Sequence, residues 1–121
     1  MKVYYAHSKA LYGTAQEKRD VATLKTLGFS VVNPNTKARQ KASKNYSSVS
    51  PGRGPMDYFM DIAQDCDVLA FRALPDGRIP CGVAEEIENF AGPVIELPSS
   101  VKYRFMSLEH TLEYLQEIGQ R

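Results

Sequence analysis

Two adjacent glutamates, Glu85 and Glu86, are the residues of this chain best placed to do chemistry. The apolar run at 68–71 predicts a buried strand, a Pro/Gly-rich loop follows it, and a helix is expected over about 82–91. A carboxylate is thereby placed near a helix N-terminus at the carboxyl edge of a sheet, where open α/β sheets bind ligands. A glutamate there is either a reactive group or an ordinary residue favoured by the helix dipole.

Helix geometry separates the two glutamates. At about 100° per residue, Glu86 lies on the side of Val83, Ile87 and Phe90, whereas Glu85 points the opposite way. The sequence therefore predicts that Glu85 is solvated and that Glu86 is a partly buried carboxylate at the rim of the core. Such a carboxylate is a functional-site candidate, and the alternative is a glutamate that only caps its helix.

Short apolar runs alternate with helical patterns along the chain. Strands are predicted at 3–6, 29–32, 68–71 and 94–97, and the alternating segment 101–105 is a candidate edge strand. This order predicts one α/β domain over residues 1–121. The expected fold class is a flavodoxin-like (Rossmannoid) three-layer sandwich with a four- or five-stranded parallel sheet.

Three further helices are predicted. The first begins at a capping box of Thr14 and Glu17 and ends at Gly28. Its apolar face is Val21, Leu24 and Leu27. The second begins at Pro55. Its apolar face is Met56, Phe59, Met60 and Ala63. The last begins at Ser107, and its apolar face is Leu108, Leu112, Leu115 and Gly119.

A long polar segment at about 33–54 carries a concentration of positive charge. It contains five basic residues and no acidic ones. Its Ser, Asn, Lys, Gly and Pro content predicts a loop insertion, which is either a solvated flexible segment or a basic lid over an anionic ligand such as phosphate.

Three loops are expected to meet at the carboxyl edge of the sheet: the loop after the first strand, the insertion, and residues 73–81. In the first loop, His7 is either a ligand contact or acid or a structural residue, and Ser8 offers a hydroxyl to phosphate or ribose. In the last loop, Arg78 is either a phosphate ligand or a solvated side chain. Tyr12, Tyr46 and Tyr58 are candidates either for stacking on a base or for packing.

Composition excludes several classes of function. The formal net charge of +1 does not favour a duplex nucleic-acid binder, and no apolar run approaches the roughly 20 residues that cross a membrane. Cys66 and Cys81 form no metal-ligand spacing with His7 or His110, so no metal site is predicted. The two cysteines are expected to be free thiols in a reducing cytoplasm.

Four segments in order resemble the nucleoside 2-deoxyribosyltransferase family and its nucleotide N-glycosidase relatives. They are Val3-Tyr4-Tyr5-Ala6, Leu27-Gly28-Phe29 to Asn33-Pro34, Asp61 to Cys66-Asp67-Val68-Leu69-Ala70, and Gly82-Val83-Ala84-Glu85-Glu86-Ile87. The resemblance implies that Glu86 is the nucleophile, that Tyr4 orients it and that Asp61 contacts substrate. The family's loop acid before Gly82 has no exact counterpart, since Pro80 stands there and Asp76 comes slightly earlier. A homo-oligomer is also implied.

The expected function is cleavage of an N-glycosidic bond in a nucleoside or nucleotide, by hydrolysis or by transfer to a second base, with no cofactor. Asp76, Arg78 and Gly82 join His7 and Ser8 as expected substrate contacts. One alternative is a non-catalytic binder of nucleotides or nucleotide-derived signals. Another is a structural or interaction module that binds no nucleotide.

Overall fold

A computed structural model describes residues 1–105 together with Glu109, Leu112, Glu113 and Gln116. Six strands lie in the described part of the chain. They are β1 (Lys2–His7), β2 (Ser30–Val32), β3 (Val68–Arg72), β4 (Arg78–Ile79), β5 (Val94–Glu96) and β6 (Arg104–Phe105). The helices are α1 (Ala15–Thr26), α2 (Lys37–Lys44), α3 (Tyr46–Val49), α4 (Pro55–Gln64) and α5 (Cys81–Asn89), with a 3₁₀ turn at Lys9–Leu11.

The main sheet is parallel throughout, with strand order β2-β1-β3-β5. Because successive side chains of a strand point to opposite faces, β1 serves two separate cores. Val3 and Tyr5 pack with Leu24 of α1, whereas Tyr4 packs with α4 and α5 through residues such as Ala63. The protein is thus a flavodoxin-like three-layer sandwich, as the sequence predicts. From β1 the chain moves to β2 on one side of the sheet, and from β3 it moves to β5 on the other side. The strand order therefore reverses between β1 and β3, and folds of this kind bind ligands at such a point.

The first helix begins and ends largely as predicted. Thr14 Oγ accepts a hydrogen bond from the N–H of Glu17, and Gly28 ends the helix with a φ of 95°. Two details differ. Leu27 is exposed instead of facing the core. The Glu17 carboxylate does not return to Thr14 but accepts from the N–H of Gly13, so half of the predicted capping box is absent.

The prediction of a loop at 33–54 is wrong for much of that segment, which folds as α2 and the single turn α3. Thr36 caps α2, since its Oγ accepts from the N–H of Arg39, and the Lys, Arg, Ala and Gln that follow are good helix formers. The buried Ser43 faces inward while Lys37 and Lys41 stay exposed. The segment has few apolar residues, and for that reason its composition indicated a loop. A helix at the surface, however, needs only one side that packs against the protein, and its other sides can be polar.

A second, two-stranded parallel sheet joins β4 to β6. Of the candidate edge strand at 101–105, only Arg104–Phe105 is a strand, and it pairs with β4 and not with the main sheet. Gly77, with a φ of 88°, precedes this pairing, and a Cβ on it would lie 2.3 Å from the carbonyl oxygen of Lys102. Only glycine fits this close approach. Of the predicted last helix, Ser107, Leu108, Leu115 and Gly119 lie outside the described residues.

A buried ion pair joins α1 to β3 beneath the carboxyl edge. Arg72 binds both carboxylate oxygens of Asp20, with its Nη2 at 2.7 Å and its Nε at 3.0 Å, and the hydroxyl of Tyr5 donates to the same carboxylate. Burial raises the pKa of Asp20, but the bonds from Arg72, Tyr5 and Gln16 outweigh it and leave that pKa below its usual value. Asp20 is therefore ionised and fully partnered.

Candidate functional site

A cavity of about 190 Å³ opens at the carboxyl edge between β1, α4 and α5. It is lined from three directions: by the end of β1 and the loop after it, by the first turns of α4, and by the first turns of α5. Its apolar wall is Pro34, Met56, Phe59, Pro80 and Val83. Its remaining lining is Tyr4, His7, Ser8, Lys9, Tyr12, Gly82 and Glu86. Of the three loops expected to meet there, the loop after the first strand contributes the most lining residues, the 33–54 segment contributes Pro34 and the 73–81 loop contributes Pro80.

Glu86 is the buried carboxyl of this cavity. The residue is 7% exposed, and the hydroxyl of the fully buried Tyr4 donates a hydrogen bond to Glu86 Oε2. Burial raises the pKa of Glu86 to about 8, against the opposing effect of the Tyr4 hydrogen bond. The negative charge of Glu85 raises that pKa slightly further. The protonated form of Glu86 is therefore favoured at neutral pH.

Helix α5 positions Glu86 as its sequence spacing predicts. Val83 and Ala84 are buried with Glu86, whereas Glu85 is exposed. Gly82 stands across the cavity from Met56, and a Cβ at Gly82 would lie 3.4 Å from the Met56 sulfur. Because Gly82 has no side chain, it helps to keep the space between α5 and α4 open.

His7 is held by protein partners on both ring nitrogens. Its Nδ1 lies 3.0 Å from the carbonyl oxygen of Tyr5, and its Nε2 lies 2.7 Å from Glu17 Oε2. The ring also stacks on Tyr5, with centroids 3.8 Å apart. Burial lowers the pKa of His7, although Glu17 and the Tyr5 carbonyl act in the opposite direction. The structure thus favours a positioning role for this residue over that of a free acid.

Glu17 is the site-related residue that sequence reasoning missed. It is buried, and besides His7 it binds the amide of Asn35 with both oxygens at 3.0 Å. Burial raises the pKa of Glu17, but the hydrogen bonds from His7, Gly13 and Asn35 outweigh this effect and leave the pKa below its usual value. The carboxylate is therefore ionised. The capping motif explained Glu17 without any contact to His7. A motif four residues long carries no information about a histidine ten residues away.

The other lining residues of the first loop offer different groups. Ser8 is buried, and its Oγ accepts from the N–H of Ala10 at 3.2 Å. Lys9 is exposed at the cavity mouth. Tyr12 is half-buried, and burial raises the pKa of its phenol. Of the three tyrosines that are candidates for stacking on a base, Tyr12 lines this cavity, whereas Tyr46 and Tyr58 do not.

Asp61 does not line the cavity. Its carboxylate accepts a hydrogen bond from Tyr46 and pairs with Arg53 at 2.7 Å, and the side chain is 44% exposed. The resemblance places Asp61 at the substrate, but in this structure the residues of α4 that reach the cavity are Met56 and Phe59.

Two other expected contacts also lie elsewhere. Asp76 and Arg78 form an ion pair at 2.6 Å in the loop before α5 and are not among the lining residues of the cavity. The five basic residues of the 33–54 segment do not line it either, so the lining gives no support to the basic-lid interpretation. Lys9 is the cation that the described lining contains.

No group of three or more His, Cys, Asp or Glu side chains that could hold a metal ion occurs among the described residues. Cys66 and Cys81 do not form a disulfide. Within the same part of the chain, no helix is long and apolar enough to cross a bilayer.

Comparisons with protein-family models, curated proteins and solved structures gave no match to this chain. The likeness to the deoxyribosyltransferase family therefore stays a prediction, which rests on the four segments named above.

Proposed function

We propose that the cavity binds a nucleoside or nucleotide and that Glu86 cleaves its N-glycosidic bond. The observation that supports this most is the buried Glu86 carboxyl, held by Tyr4 in a cavity whose walls are otherwise largely apolar. A carboxylate in such surroundings is poorly solvated and therefore nucleophilic once ionised. It would also stabilise the positive charge that develops on the sugar.

The reaction proceeds through two displacements at C1′ of the sugar. A Glu86 carboxylate oxygen bonds to C1′ while the C1′–N bond breaks and its electron pair goes to the base. The base takes up a proton as it leaves. Water then attacks C1′, loses a proton and restores the carboxylate, giving hydrolysis, whereas a second base that attacks in place of water and loses its N–H proton gives transfer. The Tyr4 hydroxyl holds the carboxylate in place during both steps.

The experiment that tests this proposal is incubation with a panel of nucleosides and nucleoside monophosphates, followed by mass analysis of the products. We expect a free base and a free or transferred sugar. For any substrate that is cleaved, kcat/KM rises roughly tenfold per pH unit from about pH 6 and levels above the pKa of Glu86. The sign follows because the proton on Glu86, whose pKa is about 8, must leave before attack.

Glu85→Gln is the matched control for this pH profile, because Glu85 is exposed beside Glu86 and does not line the cavity. It should leave the shape of the profile unchanged apart from a small shift. A kcat/KM that stays flat through about pH 8 would show that Glu86 is not the group that must ionise.

A non-catalytic nucleotide binder is the second candidate, and one observation favours it. Burial raises the pKa of Glu86 to about 8, so its protonated form is equally suited to donate a hydrogen bond to a bound molecule. Recovery of an intact nucleotide from the purified protein, with no product from any panel member, would support binding alone.

A further inference from the structure

Two proton-transfer groups of the cavity, His7 and Tyr4, are already committed to protein partners. Burial raises the pKa of the Tyr12 phenol, which weakens it as an acid, and Lys9 is exposed at the cavity mouth. An ordinary nucleobase is a poor leaving group and usually departs only when a general acid protonates it. Both nitrogens of His7 face protein acceptors, and the Tyr4 hydroxyl is bonded to Glu86. Glu86 itself must lose its proton to become the nucleophile.

The wall around Glu86 is suited to a flat and weakly hydrated group. Among the described lining residues Glu86 is the one carboxyl, and Phe59 and Tyr12 supply aromatic rings. An aromatic ring attracts a cation over its face, and this attraction strengthens when the cation is desolvated. A buried carboxyl and aromatic rings in one apolar cavity therefore form a site for a cationic ring.

We infer that, if the proposed function holds, the substrates are cationic N-glycosides, in which the base already carries a positive charge. Pyridinium ribosides and N7-alkylated purine nucleosides belong to this class. The C1′–N bond breaks, its electron pair neutralises the ring, and Glu86 bonds to C1′. Water then releases the sugar, so the products are a neutral base, the free sugar and one proton.

The electrostatics of the site agree with this class of substrate. A cation beside Glu86 favours its carboxylate form, so substrate binding itself ionises the nucleophile. The Lys9 ammonium opposes a cation, but Lys9 is exposed at the mouth and is screened by solvent, whereas Glu86 is buried. The attraction of a bound cation to the buried Glu86 carboxylate therefore outweighs its repulsion by Lys9, because solvent weakens the interactions of an exposed charge.

The test compares 7-methylguanosine with guanosine, which differ by the N7 methyl group and its charge. After subtraction of the uncatalysed rates, we expect kcat/KM to be about 100-fold or more higher for 7-methylguanosine, because guanosine needs a general acid and both His7 and Tyr4 are engaged with protein partners. Nicotinamide riboside, a second cation with an unrelated ring, should be cleaved as well.

The outcomes separate this inference from the proposed function. Equal cleavage of guanosine and 7-methylguanosine, or cleavage of guanosine alone, would overturn the inference and leave the proposed function standing. If the protein cleaves neither cation nor any neutral member of the nucleoside panel, both are overturned.

Discussion

Glu86→Gln is expected to lower kcat for N-glycosidic cleavage by about 10³-fold or more, a loss of about 4 kcal/mol of transition-state stabilisation. The amide keeps the shape of the side chain and can still accept the Tyr4 hydrogen bond, but it cannot form a glycosyl ester. Steady-state kinetics on the best substrate of the panel measure the effect, and thermal unfolding checks that the variant is folded.

The neighbouring glutamate supplies the control. Glu85→Gln removes an exposed carboxylate one residue away and should stay within about twofold of the unsubstituted protein. Tyr4→Phe should fall between the two variants, because it removes the hydrogen bond that holds the carboxylate but not the carboxylate itself. A Glu86→Gln variant with full activity would mean that another group attacks the sugar.

Asp20→Asn is expected to reduce the free energy of unfolding by about 3 kcal/mol or more, the largest stability effect predicted for this chain. The pair it forms with Arg72 is almost completely buried, with side chains 3% and 12% exposed. Removing the carboxylate charge leaves a buried guanidinium without its counter-ion. Urea denaturation of the two proteins measures the difference.

Asp61→Asn is a close match for this experiment. Asp61 also pairs with an arginine at 2.7 Å and accepts from a tyrosine, but its pair with Arg53 is 44% and 43% exposed. Because solvent screens it, its loss should cost about 1 kcal/mol or less. Equal losses for Asp20→Asn and Asp61→Asn would contradict the assignment of the first pair as a buried, stabilising interaction.

The features predicted correctly from sequence are those that local geometry decides. The burial of Glu86 and the exposure of Glu85 follow from the turn per residue of a helix. The apolar run of β3 follows from burial on both faces of a parallel sheet. The contact of Tyr4 with Glu86 joins distant segments and was expected only from the resemblance to the deoxyribosyltransferase family.

The features that sequence reasoning missed depend on contacts between distant segments. Glu17 fits a capping motif, but His7 and Asn35 draw its carboxylate away from the helix start. Asp61 was assigned to the substrate, yet Tyr46 and Arg53 hold it outside the cavity. Those two partners come from the 33–54 segment, and the resemblance that implied a substrate role for Asp61 says nothing about where that segment packs.

The most direct test of a covalent role for Glu86 is the mass of the protein after reaction with a nucleoside that carries fluorine at C2′. The fluorine destabilises the positive charge on the sugar and so slows release of the glycosyl ester, which allows it to accumulate. We predict a mass increase equal to the fluorinated sugar, located by peptide analysis on Glu86 and absent from Glu86→Gln. Release of the base with no adduct, or an adduct on another residue, would contradict the mechanism.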